Sequence, residues 1–299
     1  MDFVDMLLNR IDGESELKKP THALVCFTRL ETGKRLNRMV SDIILSKAEK
    51  SLITLLYFVD DIEDSPEGEP VEVFQHKILT ELNPKSEKNK ITIRFFIREY
   101  ASYTSEIRKI AEEQGCNLVL IGLGEDEVNI KEADKCLRLM NDAISAETAT
   151  PTQLNEKEDE MLKQVSSLLE NNKLPTGIFH DNGLCAINHI FIPVLCKDDI
   201  HIFTFIYQAA QKENVQITVW DAVGIIQSGP KMQKLYQFIV KKSDGRVQLW
   251  DDNKKIEKEF IQSQDLLISG IDGWNKLIAA PLSWKESLPS ILIIKDSSN

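Results

Sequence analysis

Chemistry in this chain has few places to be. After the apolar run Asp265-Leu-Leu-Ile-Ser-Gly270 come Ile271, Asp272, Gly273, Trp274, Asn275 and Lys276; after Asn117-Leu-Val-Leu-Ile-Gly122 come Leu123, Gly124, Glu125, Asp126 and Glu127. Paired glycines just beyond a strand let backbone amides approach a phosphate closely, because no Cβ stands between them. Charge separates the two places. Three consecutive carboxylates would face a phosphate at a cost of about 1 kcal/mol per unit-charge pair at ~4 Å even in water, and ~1.4 kcal/mol is tenfold in affinity. That disfavours the run after Gly122. The other run carries one acid, Asp272, and one base, Lys276, and is neutral. A glycine turn with no ligand is still the commoner meaning of such a pair.

Other constellations give less. The five histidines (His22, His76, His180, His189, His201) are not spaced as metal ligands with one another or with cysteines. No Gly-x-Ser-x-Gly elbow, Walker loop or His-Glu-x-x-His motif occurs. Asp60, Asp61, Glu63, Asp64, Glu67 and Glu69 could hold a cation, although a run of this kind usually marks a solvated loop. Trp220, Trp250, Trp274 and Trp284 stand near the expected strand ends of the second half and read as core and interface. The expectation is no catalytic residue, no metal site and no enzyme.

Composition narrows the partners. The 299 residues suffice for two ordinary domains. With 42% hydrophobic and 28% charged residues the chain has a soluble globular balance rather than a disordered one. A net charge of −11 without a clustered basic stripe repels phosphate backbones, which argues against nucleic acid. Five scattered cysteines, none in Cys-x-x-Cys, fit a reducing cytosol. Asp2 and Asp5 stand where a secretion signal would be basic, and no apolar run approaches the ~20 residues that cross a bilayer.

The elements that must position these residues occur twice. His22-Ala-Leu-Val-Cys-Phe27 matches His189-Ile-Phe-Ile-Pro-Val194, and Ile53-Thr-Leu-Leu56 matches Ile217-Thr-Val-Trp220. The runs ending at Gly122 and Gly270 match, and Leu174-Pro175 and Leu288-Pro289 each open a last strand. Order is preserved, as in a duplicated unit. Short, nearly continuous apolar strands are expected at 21–28, 51–58, 90–97, 117–122 and 175–180, then at 189–196, 215–221, 245–250, 265–270 and 289–295. Helices are expected near 34–48, 70–82, 103–115 and 155–171, and at 199–212, 230–241 and 253–263, with a loop after Gly270. Such strands suit a parallel sheet covered on both faces. The turn residues Asp181, Asn182 and Gly183 mark the division. Residues 1–20 read as an amphipathic helix and tether, 21–183 as the first domain with an acidic insertion, and 184–299 as the second.

This plan, with glycine after the fourth strand, resembles the universal stress protein fold present twice from about residue 21 to 296. The resemblance implies two tandem α/β sandwiches with parallel five-stranded sheets, forming a pseudo-dimer through their fifth strands. Nucleotide-binding members carry Gly, two residues, Gly, about nine residues, then Gly-Ser or Gly-Thr. Gly270 and Gly273 fit the first part, and Ser283, followed by Trp284, stands at the second anchor without its glycine. The resemblance thus implies an adenine nucleotide site in the second half only, at Gly270, Gly273 and Ser283, in degenerate form. The segments Gly177–Leu184, Ile190–Val194, Lys197–Asp199, Val215–Val219, Asp265–Gly270 and Ala280–Trp284 are similar to the C-terminal region of monovalent cation:proton antiporters of the cation/H⁺ exchanger type. That similarity implies a regulatory domain on the cytoplasmic face of the membrane, without catalysis or a required cofactor. Its partner would be the transmembrane antiporter domain of the same polypeptide, with a second copy as a further candidate. The alternative is a freestanding tandem universal stress protein binding an adenine nucleotide.

Overall fold

The computed structural model describes residues 21–44, 51–59, 71–82, 92–100, 103–123, 164–165, 167–169 and 173–296. The expected N-terminal helix and tether, the acidic run at 60–69, Glu125–Glu127 and most of the helix expected at 155–171 lie outside those residues.

Among the described residues, ten strands form one sheet. They are β1 (His22–Phe27), β2 (Leu52–Val59), β3 (Thr92–Glu99), β4 (Leu118–Leu123), β5 (Thr176–His180), β6 (His189–Val194), β7 (Gln216–Asp221), β8 (Val247–Leu249), β9 (Leu266–Gly270) and β10 (Ser290–Lys295). Their order is β3-β2-β1-β4-β5-β10-β9-β6-β7-β8, so the second five strands mirror the first five. Neighbours are parallel except β5 and β10, which run antiparallel with Phe179 opposite Leu292 and Ile178 opposite Ile293. The two fifth strands therefore join the halves, as the pseudo-dimer reading requires. Each would otherwise be an apolar edge open to aggregation.

Alternation along the strands feeds two cores, one per face. Ala23, Val25 and Phe27 of β1 and Leu266 and Ile268 of β9 point to one face; Leu24, Cys26 and Leu267 point to the other. The helices α1 (Leu30–Met39), α2 (Val71–Leu82), α4 (Ile202–Ala210) and α6 (Pro230–Lys242) cover the first face. The second is covered by α3 (Tyr103–Glu113), the helical residues Val165, Leu168 and Leu169, α7 (Lys258–Gln262) and α8 (Ile271–Ala279). Both cores include residues of both halves.

Several elements depart from expectation for local reasons. The first helix starts at Leu30 and changes at Val40 into a π turn ending at Ile44. Ser41 Oγ donates to the Asn37 carbonyl at 2.9 Å, a back-bond that competes with regular helix. The helix expected at 199–212 begins with a 3-10 turn, Lys197–His201, that kinks at Asp199 before α4. A short helix, α5 (Ile225–Ser228), precedes α6. The loop expected after Gly270 is α8, whose Trp274, Leu277 and Ile278 are buried.

The turn 181–185 is tied to both halves. Asp181 accepts from Arg35 of α1 at 2.9 Å, while the Asn182 side-chain amide donates to the Leu288 carbonyl at 2.8 Å and its backbone N–H donates to Ser290 Oγ at 2.9 Å. Among the described residues, no helix is long and apolar enough to cross a membrane.

Candidate functional site

In a doubly wound sheet the crevice for a ligand opens beyond the carboxyl ends of the strands, where strand order reverses. In the second half that place lies between β6 and β9, which are parallel neighbours. After β6 comes the 3-10 turn Lys197–His201, and after β9 the chain passes directly into α8. Gly270 ends β9 and is the residue before the first helical turn, and Gly273 lies within that turn.

The crevice is filled from within. Asp199 is wholly buried, and its Oδ2 accepts the Gly273 N–H at 2.5 Å. A Cβ at Gly270 would overlap the Asp199 carboxyl group, and one at Gly273 would fall 2.5 Å from Oδ2. The two glycines thus allow close approach of an anionic oxygen to a helix N-terminus, the geometry read from their sequence, but the oxygen belongs to the chain. Gly270 itself offers no side-chain cap, so Asp199 caps α8 from a distant segment.

The electrostatics of Asp199 are unfavourable to its charge. Burial pushes its carboxyl up to about 6, against the Gly273 N–H and the nearby His201 ring, which favour ionisation. Asp272 opposes ionisation by like charge. Oδ1 has no hydrogen-bond partner, so an ionised Asp199 leaves half its lone pairs unmatched. Lys276 of α8 does not reach it in a salt bridge; its Nζ donates to the Leu195 carbonyl at 3.3 Å.

The first half fills the corresponding place differently. Thr32 stands as far beyond β1 as Asp199 does beyond β6. A Cβ at Gly122 would fall 2.7 Å from the Thr32 methyl group. A neutral side chain there does the packing that a carboxylate does at Asp199. Gly124, with the acids that follow it, lies outside the described residues.

Ser283 is exposed and lines a different feature. A cavity of about 370 Å³ beyond β7 and β8 is walled by Trp220, Trp250 and Trp284, with Lys254, Lys255 and Ser283 at its rim. Gly270 and Gly273 do not line it. The structure brings the two glycines together and leaves Ser283 apart. Trp250 donates its indole N–H to the Lys254 carbonyl at 3.0 Å and packs on Phe260, so this indole is partly committed to the fold. Trp284 packs edge-on against Phe191, as the core reading of these tryptophans expects.

Sequence reasoning passed over Asp199, which reads as one acid in a charged run. It also passed over Asp221 at the end of β7, whose carboxylate accepts the Ile225, Ile226 and Gln227 amides at 2.8, 2.8 and 3.3 Å and so nucleates α5. His22 and His189 have the structural place expected of them. The His22 amide donates to Asn117 Oδ1 at 3.0 Å and the His189 amide to Asp265 Oδ2 at 2.9 Å, the same contact in each half. Among the described residues no group of three or more His, Cys, Asp or Glu could hold a metal ion.

No family model matches the chain, and no curated protein matches its sequence. Among solved structures, the cytoplasmic domain of a prokaryotic cation chloride cotransporter aligns with a TM-score of 0.50 at 9% identity, covering 93% of this chain and 96% of that one. A functionally unknown protein from Pseudomonas aeruginosa PAO1 aligns at 0.42 with 10% identity, over 94% of each chain. A candidate universal stress protein from Pseudomonas aeruginosa UCBPP-PA14 aligns at 0.39 with 9% identity, over 93% of this chain and 94% of that one. At such identities the first likeness establishes the fold alone: an α/β architecture on a large, mostly parallel sheet.

Proposed function

We propose that this chain is the cytosolic regulatory portion of a monovalent cation:proton antiporter, acting on a transmembrane domain of the same polypeptide and catalysing nothing alone. The observation that carries the reading is a likeness extending over nearly the full length of both chains to the cytoplasmic domain of a cation chloride cotransporter. The antiporter-like segments from Gly177 to Trp284 support it and narrow the transporter class. Asp199 supports the non-catalytic part, because the place where this architecture usually presents a ligand is taken by the chain's own carboxylate. A domain without transport chemistry can alter transport only by contacting the partner's conformational states unequally, and the expected coupling is about 1–3 kcal/mol. Reading the genomic frame upstream of Met1 tests the assignment: apolar segments of about 20 residues are expected there, and a frame that opens at Met1 would overturn it.

One observation keeps a second reading in view. The tryptophan-walled cavity beside Ser283 has room for a small aromatic ligand, which a freestanding tandem stress protein would fill with an adenine nucleotide. Calorimetry with ATP, comparing the native chain with Trp220→Ala and Ser283→Ala, decides it. Saturable binding lost in both variants supports nucleotide recognition, and no heat at millimolar ATP removes it. Gly270→Val cannot serve here, since the new side chain would strike Asp199 whether or not a nucleotide binds.

A further inference from the structure

Asp199 occupies a place from which it can be released. It stands where the 3-10 turn Lys197–His201 kinks into α4, with φ −82 and ψ 20 outside the helical range. Its carboxyl group is wholly enclosed, yet Oδ1 has no hydrogen-bond partner, while Oδ2 accepts the Gly273 amide. Thr32 fills the equivalent place in the first half with no charge, so packing between the fourth strand and the element after the first does not require a carboxylate. We propose that Asp199 is a pH-responsive latch: neutral, it holds the start of α4 against the N-terminus of α8, and ionisation favours its withdrawal into water.

The direction follows from what surrounds the group. A neutral acid keeps the Gly273 hydrogen bond and leaves no orphaned charge, whereas an ionised one is buried with Oδ1 unpaired. Charged neighbours do not reverse this. On its own segment, Lys197 and Asp198 are exposed, Asp198 lies 3.6 Å from the Cys196 thiol, and His201 favours the charged form. On α8, the Asp272 carboxylate disfavours it by like charge while the Asp272 amide favours it, and Lys276 is engaged by the Leu195 carbonyl. The facing parts of β9 and β10 contribute Ser269, whose hydroxyl donates to the Gly270 carbonyl, and the Ile294 carbonyl, which contacts His201 Nε2 at 3.2 Å. Burial is the largest influence, and it favours the proton.

Release would be felt beyond the crevice. The kinked turn runs directly into α4, which packs on the π turn Val40–Ile44 of the first half. Lys212, beyond the end of α4, donates to the Ser41 carbonyl in that turn at 3.3 Å. Withdrawal of Asp199 thus loosens the helix that bridges the halves and frees the Gly273 amide. The latch does not depend on the transporter assignment.

Amide hydrogen exchange of Gly273, measured by NMR on the whole chain and corrected for intrinsic rates, reads the latch directly. With a carboxyl titrating at about 6 when enclosed and at 3.8 when free, opening should rise about tenfold between pH 5 and pH 8. Leu267 and Ile268, inside β9, report global unfolding, and opening at Gly273 should exceed theirs at every pH, because release of Asp199 is local. Asp199→Asn keeps the shape and removes the titration, and Asp199→Thr copies the first half; both should show a flat profile at Gly273. A flat profile in the native chain overturns the latch. So does protection at Gly273 no lower than at Ile268, which would make the opening global, or a rise persisting in Asp199→Asn, which would place it on another group. Should the asparagine variant fail to fold, the threonine variant and the native profile still decide.

Discussion

Asp199 and His180 set opposite pH dependences within one fold. The enclosed Asp199 keeps its proton up to about 6, where a free carboxyl loses it at 3.8. Between those values the folded chain binds more protons than the unfolded one, so this contribution to stability is whole below 3.8, falls as pH rises, and is gone above about 6. A shift of that size corresponds to roughly 3 kcal/mol. Asp199→Asn should therefore be more stable than the native chain at pH 8, by up to that amount, with the difference closing near pH 4; denaturant midpoints at the two pH values check it. His180 is buried and neutral, its proton affinity lowered chiefly by burial and partly restored by Asp181. Its contribution is present above the ordinary value of 6.5 and lost as pH falls through it. The Arg35–Asp181 pair gives a second residue-scale prediction. Asp181 is buried and its partner is partly open to water, so Arg35→Met should cost on the order of 2 kcal/mol, below the ~3–5 of fully buried pairs. A loss under about 0.5 kcal/mol in urea unfolding would show the pair to be an ordinary surface contact. Gly270 and Gly273 were legible in the sequence because strand-end glycines signal close approach. Their partner was not, since Asp199 lies over seventy residues away from Gly273 and nothing local marks it.

At the scale of elements, strands were easier to read than helices. Continuous apolar runs such as Leu118–Leu123 and Ser290–Lys295 admit little besides buried strands, whereas α8 was read as a loop because two glycines and two charges crowd its start. Its signal was nonetheless present: Trp274, Leu277 and Ile278 recur at helical spacing, and all three are buried. Tertiary burial and the Asp199 cap outweigh the glycine penalty. Trp274 is the anchor, fully enclosed with its indole N–H unpartnered. Trp274→Ala should cost about 3–5 kcal/mol, and Trp274→Phe much less, because it retains most of the apolar contact and removes the orphaned donor. Thermal unfolding of the two variants checks the order, and equal losses would contradict it. The π turn after Met39 escaped the sequence for another reason. Serine at position 41 is common in helices, and only its back-bond to Asn37 in a crowded interface reveals the change of pitch.

At the largest scale the described residues form one sheet with two cores that run through both halves. Leu24 and Phe191 share one of them, and Val25 and Ile192 the other. Antiparallel pairing of β5 with β10 joins the halves by main-chain bonds as well. Unfolding should accordingly be a single transition, with calorimetric and van't Hoff enthalpies equal; two resolved transitions would show that the halves are independent. The joining of the fifth strands was legible, because two apolar strands following Leu-Pro could not both stay exposed. The filling of the crevice was not, and it bears most on function, since it turns a place for a ligand into a contact within the chain. Under the proposed function, such a domain regulates transport and performs none. Its most direct test is antiport by the full-length transporter in vesicles, with and without residues 21–299, measured across pH and cation concentration. Exchange should persist after truncation while its pH or cation dependence shifts by a factor of about 5–150, the range of ~1–3 kcal/mol of coupling. Superimposable profiles from equal amounts of inserted protein would contradict it.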